Sequence, residues 1–77
     1  MQNAINVSFR LIGTDGEVIA LWREPEQTSK MVSSYMHTGQ HSEAHESLIG
    51  DLLPASESQY TGLLRELESI GYRVTVI

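Results

Sequence analysis

The chain has 77 residues, no cysteine, a formal net charge of −5 and a hydrophobic fraction of 40%. That length makes one domain, with a stability of roughly 4–12 kcal/mol. The missing cysteines exclude a disulfide framework and a thiolate metal centre, and the five basic residues, Arg10, Arg23, Lys30, Arg65 and Arg73, are too scattered for the clustered footprint that nucleic acid or an anionic membrane surface selects.

No apolar run approaches the ~18 residues needed to span a bilayer. Met1 to Ser8 has neither a basic region nor an apolar core of the kind a signal peptide carries, so a cytoplasmic protein is expected. The hydrophobic fraction is ordinary for a globular chain and too high for a disordered one. Small domains without staples need a well-packed core, a partner subunit, or both.

From Ile5 to Ile12 apolar residues alternate. Ile5, Val7, Phe9 and Leu11 share one face and Asn6, Ser8 and Arg10 the other, which predicts a half-buried strand. Gly13-Thr14-Asp15-Gly16 then signals a hairpin turn. Glu17 to Trp22 is the returning strand, with Val18, Ala20 and Trp22 on one face and Ile19 and Leu21 on the other. Apolar residues on both faces predict a central strand, or one whose second face meets a partner. Arg23 to Ser29 is polar, contains Pro25 and reads as a loop. Met31 to His37 resumes the alternation, Val32, Ser34 and Met36 against Ser33, Tyr35 and His37, and Thr38-Gly39-Gln40 is a turn.

His41 to Leu53 supports two readings. Ala44, Leu48, Ile49, Leu52 and Leu53 fit one helix face, with Ser42 able to cap it; the same residues fit a strand from about Glu46 to Leu53 paired with the preceding one. The strand is preferred, because a turn just before it completes a second hairpin; Gly50 weakens both and Pro54 ends either.

The strongest signal is an amphipathic helix from about Glu57 to Ile70. Tyr60, Leu63, Leu64, Leu67 and Ile70 recur at three- and four-residue steps and form one stripe, while Glu57, Gln59, Thr61, Arg65, Glu66 and Glu68 make a solvated face. Ser56 and Gln59 have capping-box spacing, and Glu57 suits the positive end of the helix dipole. Gly71 can take the left-handed conformation that stops the helix, letting Tyr72 fold back on Leu67. Arg73 to Ile77 closes the chain as a short strand with Val74 and Val76 inward. The expected fold is α+β: a mostly antiparallel sheet, ββ-ββ-α-β, in a single domain over residues 1–77, with one amphipathic helix packed on one face. One helix covers only part of such a sheet, so the other face is polar or binds something.

Chemistry-bearing residues concentrate in one run. His37, His41 and His45 stand four residues apart, with Glu43 and Glu46 beside them. Imidazoles are common metal ligands, and on a continuous helix this spacing puts all three on one side. Gly39 and the strand pattern before it oppose a continuous helix, so solvated loop histidines are the commoner explanation. A hydrolytic reading would pair Ser33 or Ser34 with His37 or His41 as base, but no nucleophile elbow or oxyanion loop accompanies them. Glu24/Glu26 flank a loop proline, and Glu66/Glu68 stand two apart on a helix and do not face each other. Trp22 reads as a core or interface anchor, and Met31 and Met36 as core fillers.

Ser34-Tyr35-Met36-His37-Thr38-Gly39-Gln40-His41-Ser42, then Ala44, then Pro54-Ala55-Ser56-Glu57-Ser58-Gln59-Tyr60, and finally Leu64 to Tyr72 ending in Ile70-Gly71-Tyr72, resemble a family of small uncharacterised bacterial proteins. Its pattern is a Ser-Tyr-x-His-x-Gly-Gln-His core, a Pro-Ala-Thr/Ser-x-x-x-Tyr helix start and an Ile-Gly-Tyr helix end, matched over roughly residues 17 to 77. The resemblance implies no activity; it singles out Tyr35, His37, Gly39, Gln40 and His41. Family members often carry Thr-Arg before the proline, where this chain has Leu52-Leu53, so an anion-binding role for that arginine is absent here. His45 lies outside the pattern, which weakens a three-histidine metal site.

Two functions are carried forward. The preferred one is a non-catalytic module, with no cofactor, that binds another protein or itself through an exposed edge strand or the bare sheet face. The alternative is a small-ligand or metal site built from Tyr35, His37, Gln40 and His41, with His37, His41 and His45 as candidate metal ligands. Nucleic-acid binding ranks last on charge, and no catalytic residue is assigned.

Overall fold

The computed structural model describes all residues except 1–2, 14, 25–29 and 38–39, and for Asn3 and Gln40 it describes the backbone. The loop residues from Pro25 to Ser29, Thr14 of the first turn and Thr38-Gly39 of the second thus lie outside the described residues. Among the described residues, five strands form one open sheet in the order β4-β3-β2-β1-β5. They are β1 (Asn3–Ile12), β2 (Glu17–Trp22), β3 (Met31–Met36), β4 (Gln40–His45) and β5 (Tyr72–Val76). The first four are antiparallel neighbours, and β5 runs parallel to β1. The fold is α+β, as the pattern predicts.

The period-two reading of β1 and β2 carries directly into packing. Ile5, Val7, Phe9, Val18, Ala20 and Trp22 are buried on one face of the sheet. The long helix α2 (Glu57–Ser69) closes that face with Leu63 and Leu67, both fully buried. Each such leucine contributes about 1.5–3 kcal/mol relative to an exposed one. Tyr60 stacks on Phe9 with ring centroids 4.6 Å apart and planes 10° from parallel. At the helix start the Gln59 side chain accepts from the Ser56 N–H at 2.8 Å, one arm of the capping box. At its end Gly71 has φ +112, a conformation that glycine takes without strain, and Tyr72 packs against the cluster that holds Leu67.

The second face is not bare, which corrects one expectation. The preferred strand over residues 46–53 is also overturned. Pairing with β3 begins at Gln40 and ends at His45, directly after the turn, and α1 (Ser47–Asp51) follows. Leu48, Ile49 and Leu52 are spaced by one and four, a helical interval. They pack on Ile19, Leu21 and Val32 of the sheet's second face, with Ala44 and Met36 alongside. A short lid therefore covers what a strand would have left open. It is pinned at both ends: His45 Nδ1 accepts the Ser47 N–H at 3.2 Å, and Arg10 Nε donates to the Ile49 carbonyl at 2.7 Å.

The chain then crosses from one face to the other along the outer flank of β1. Leu11 N–H donates to Leu53 O at 2.8 Å, and Ala55 N–H to Phe9 O at 3.0 Å. This flank of β1 is thus shared between β5, opposite residues 3–7, and residues 53–55 further along. Two apolar residues expected inside are not. Val76 is 39% exposed and Ile70 is 50% exposed, because β5 is the outermost strand and Ile70 lies past the last turn of α2.

Candidate functional site

Strand register decides which of the candidate residues meet. Tyr35 pairs with His41 across β3 and β4, and with Ala20 across β3 and β2. His37, one residue past the end of β3, joins Tyr35 and His41 on the α2 side through its contact with Glu66. The rings of Tyr35 and His41 meet edge to face at 4.6 Å. Gln40 stands opposite Met36; its side chain is outside the described residues. His45 pairs with Met31, four residues along β4 from His41, a separation of roughly 13 Å at ~3.3 Å per residue. There its Nδ1 serves the start of α1.

The three histidines therefore do not converge. Among the described residues, no group of three or more His, Cys, Asp or Glu side chains is placed to hold a metal ion. Register also separates Ser34 from the candidate base. Ser34 opposes Ser42 on the α1 side with Val32 and Met36, away from His37 and His41. Ser33 lies between Trp22 and Glu43.

What does converge includes residues that the pattern did not nominate. Glu66, assigned to the solvated face of the helix, turns toward the sheet. Its Oε1 accepts from the Tyr35 hydroxyl at 2.7 Å, and its Oε2 accepts from His37 Nδ1–H at 2.6 Å. A carboxylate accepts only, so the ring proton on Nδ1 points at Glu66. The Tyr35 side chain is buried, whereas the His37 side chain is 51% exposed beside a Glu66 that is 27% exposed. Helical spacing carried this signal: Glu66 is three residues after Leu63, and residues three apart share a helix face.

A second arm closes over Trp22. Its indole N–H donates to Glu24 Oε1 at 3.0 Å. Tyr72, from β5, meets the indole at 5.3 Å between ring centroids. His41, from β4, meets it at 6.5 Å. The Tyr72 hydroxyl lies 3.4 Å from His41 Nε2. Side chains from the two outermost strands thus join above the central one. Burial, and then the Glu24 carboxylate, push the Tyr72 hydroxyl above its ordinary pKa.

This cluster resembles a base held by an orienting carboxylate. Yet Tyr35 anchors α2 to β3, His41 covers Trp22 and His45 caps α1, so most of the ring chemistry is already used in architecture. A concavity lies on the opposite face. It is a groove of about 840 Å³ bordered by Asn6, Ser8, Ile49, Ile77 and the Arg23–Glu46 ion pair. No helix among the described residues is long and apolar enough to cross a membrane. Neither a protein-family model, nor a curated protein, nor a solved structure matches the chain.

Proposed function

We propose that the protein is a non-catalytic interaction module whose contact surface is the β5 flank. One observation carries this reading. Among the described residues, the exposed large hydrophobics are Leu53, Ile70, Val76 and Ile77, at 71, 50, 39 and 70%. All four lie on or beside the outer flank of β1 and β5: Ile70 at the turn into β5, Val76 and Ile77 on and just after it, and Leu53 on the segment in line with it along β1. An outermost strand presents a row of outward backbone groups, and here apolar side chains accompany them. An extended segment of protein added to β5 would use both. A cytoplasmic, bacterial setting belongs to the same proposal, as does the family resemblance, which adds no activity to it.

Hydrogen exchange on dilute protein tests the reading. Fast exchange of outward amides on β5, beside slow exchange on β1 and β2, is the expected pattern. Protection of those outward amides at high dilution would mean that the flank is already covered, and would overturn it.

The convergence of Tyr35, His37 and His41 with Glu66 supports a second reading, a small organic ligand held at His37. It makes the proposed site one of Tyr35, His37 and His41 with Glu66, in which Gln40 has no assigned role. Histidine NMR signals followed against a panel of small anions and amines would show a saturable shift at His37 and His41. Flat titrations throughout would remove it.

A further inference from the structure

We infer that the occupant of the β5 flank is a second copy of this chain, paired antiparallel through β5 with Val74 opposite the second copy's Val74. This rests on the reading of that flank as a contact surface and names its partner.

The backbone sets the permitted registers. Ile77 N–H donates inward to Val7 O at 2.9 Å. In a parallel ladder alternate residues turn their N–H and C=O toward the neighbour. The groups of residues 73, 75 and 77 therefore face β1, and those of Tyr72, Val74 and Val76 face outward. An antiparallel partner must set outward residues against outward residues. Centring the two-fold on Val74 does this over the whole of β5. It places Tyr72 against the second copy's Val76 and Arg73 against its Thr75. Aromatic against β-branched is a favourable cross-strand pair, and like charges directly opposite are not. Centring on Arg73 would oppose two arginines.

The contrast with β4 supports the choice of edge. Its residues His41, Ser42, Glu43 and His45 are exposed and polar, and a polar edge with an exposed carboxylate discourages pairing; β5 carries one charge, Arg73, near its start. Residues 74–77 of the other edge carry no charge. The two-fold axis stands perpendicular to the sheet, so both α2 helices lie on the same side of a ten-stranded sheet. A five-residue edge is short beside the ~800 Å² per partner of a stable interface, so the association is concentration-dependent.

Sedimentation across a hundredfold concentration range tests this, with two variants. Val76→Pro removes an outward N–H and leaves the inward ladder intact, as proline does at a solvent-facing edge position. Val76→Lys places a charge at the junction. The expected result is a wild-type mass that doubles with concentration, while both variants stay at monomer mass at ten times the wild-type midpoint, with unchanged circular dichroism. A wild-type protein that stays monomeric throughout would overturn the inference, as would a Val76→Pro variant that dimerises as the wild type does. If the wild type is monomeric, amide exchange separates the two failures. Fast exchange at Val74 and Val76 leaves the flank open for a different partner; slow exchange there removes the flank reading as well.

Discussion

The two edges of the sheet solve the same problem differently. β4 carries polar side chains whose reach is turned inward: His41 against Tyr35 and Trp22, and His45 onto the start of α1. β5 turns Tyr72 inward to meet His41 but leaves Val76 and the adjoining Ile77 in solvent. The lesson is that histidine density marked the part of the molecule most occupied with holding itself together. The part with apolar surface left over is chemically plain. The proposed contact surface rests on that leftover apolar surface rather than on the reactive side chains.

Substitutions can break or sharpen this contrast. The largest expected effect is at Trp22, fully buried where the two arms meet. Trp22→Ala should cost about 3–5 kcal/mol, a large share of the roughly 4–12 kcal/mol margin of a 77-residue fold, read by urea unfolding. Glu66→Ala comes next. It leaves the buried Tyr35 hydroxyl without its carboxylate and should cost about 1–3 kcal/mol; Glu66→Gln, which keeps an acceptor, should cost less. Equal losses for the two would mean that the hydrogen bond from Tyr35 contributes little.

Gly62→Ala should stabilise by about 0.5–1 kcal/mol. A Cβ there would stand 3.9 Å from His37 Cε1, an ordinary contact. A ligand seated between His37 and the helix would instead lose affinity in this variant, which separates architecture from binding. Val76→Lys should change monomer stability by no more than about 1 kcal/mol, since the residue is already 39% exposed; a larger loss would show that β5 matters to the fold as β4 does.

The smallest effect is in alkali. The folded pKa of Tyr72 is raised above 10.0 by burial and by Glu24, so the native state holds this proton more tightly than the unfolded chain. The resulting stability is complete below about pH 10 and is lost as pH rises through the folded value. Tyr72→Phe should flatten the fall in melting temperature over that window and change little at neutral pH.

Much of the fold was legible because periodicity reports burial. Alternation in β1 and β2 and the three-four spacing of Leu63 and Leu67 each named a face, and the structure buries those faces. The centrality of β2 followed from apolar residues on both sides. The stretch after Gly39 misled because five apolar residues satisfy two periods when the segment is short. Turn length decided it, by starting β4 at once and leaving Leu48, Ile49 and Leu52 for the lid. The candidate site was half legible. Register brings Tyr35 and His41 to one face and Glu66 draws His37 to the same side, an arrangement that four-residue spacing alone does not fix. Glu66 was hidden because a single charged residue at the rim of an apolar stripe looks solvated until a buried hydroxyl is found facing it. Val76 misled in the opposite direction: alternation names a face, but an outermost strand has no neighbour to cover it.

The most direct measurement is a concentration series of amide chemical shifts on the wild-type protein. The expected result is a set of shift changes confined to β5 and its surroundings, residues 70–77 and Leu53, with His41 to His45 unmoved. Changes centred on β4 would contradict the assignment of the contact edge, and a spectrum that does not change with concentration would contradict self-pairing.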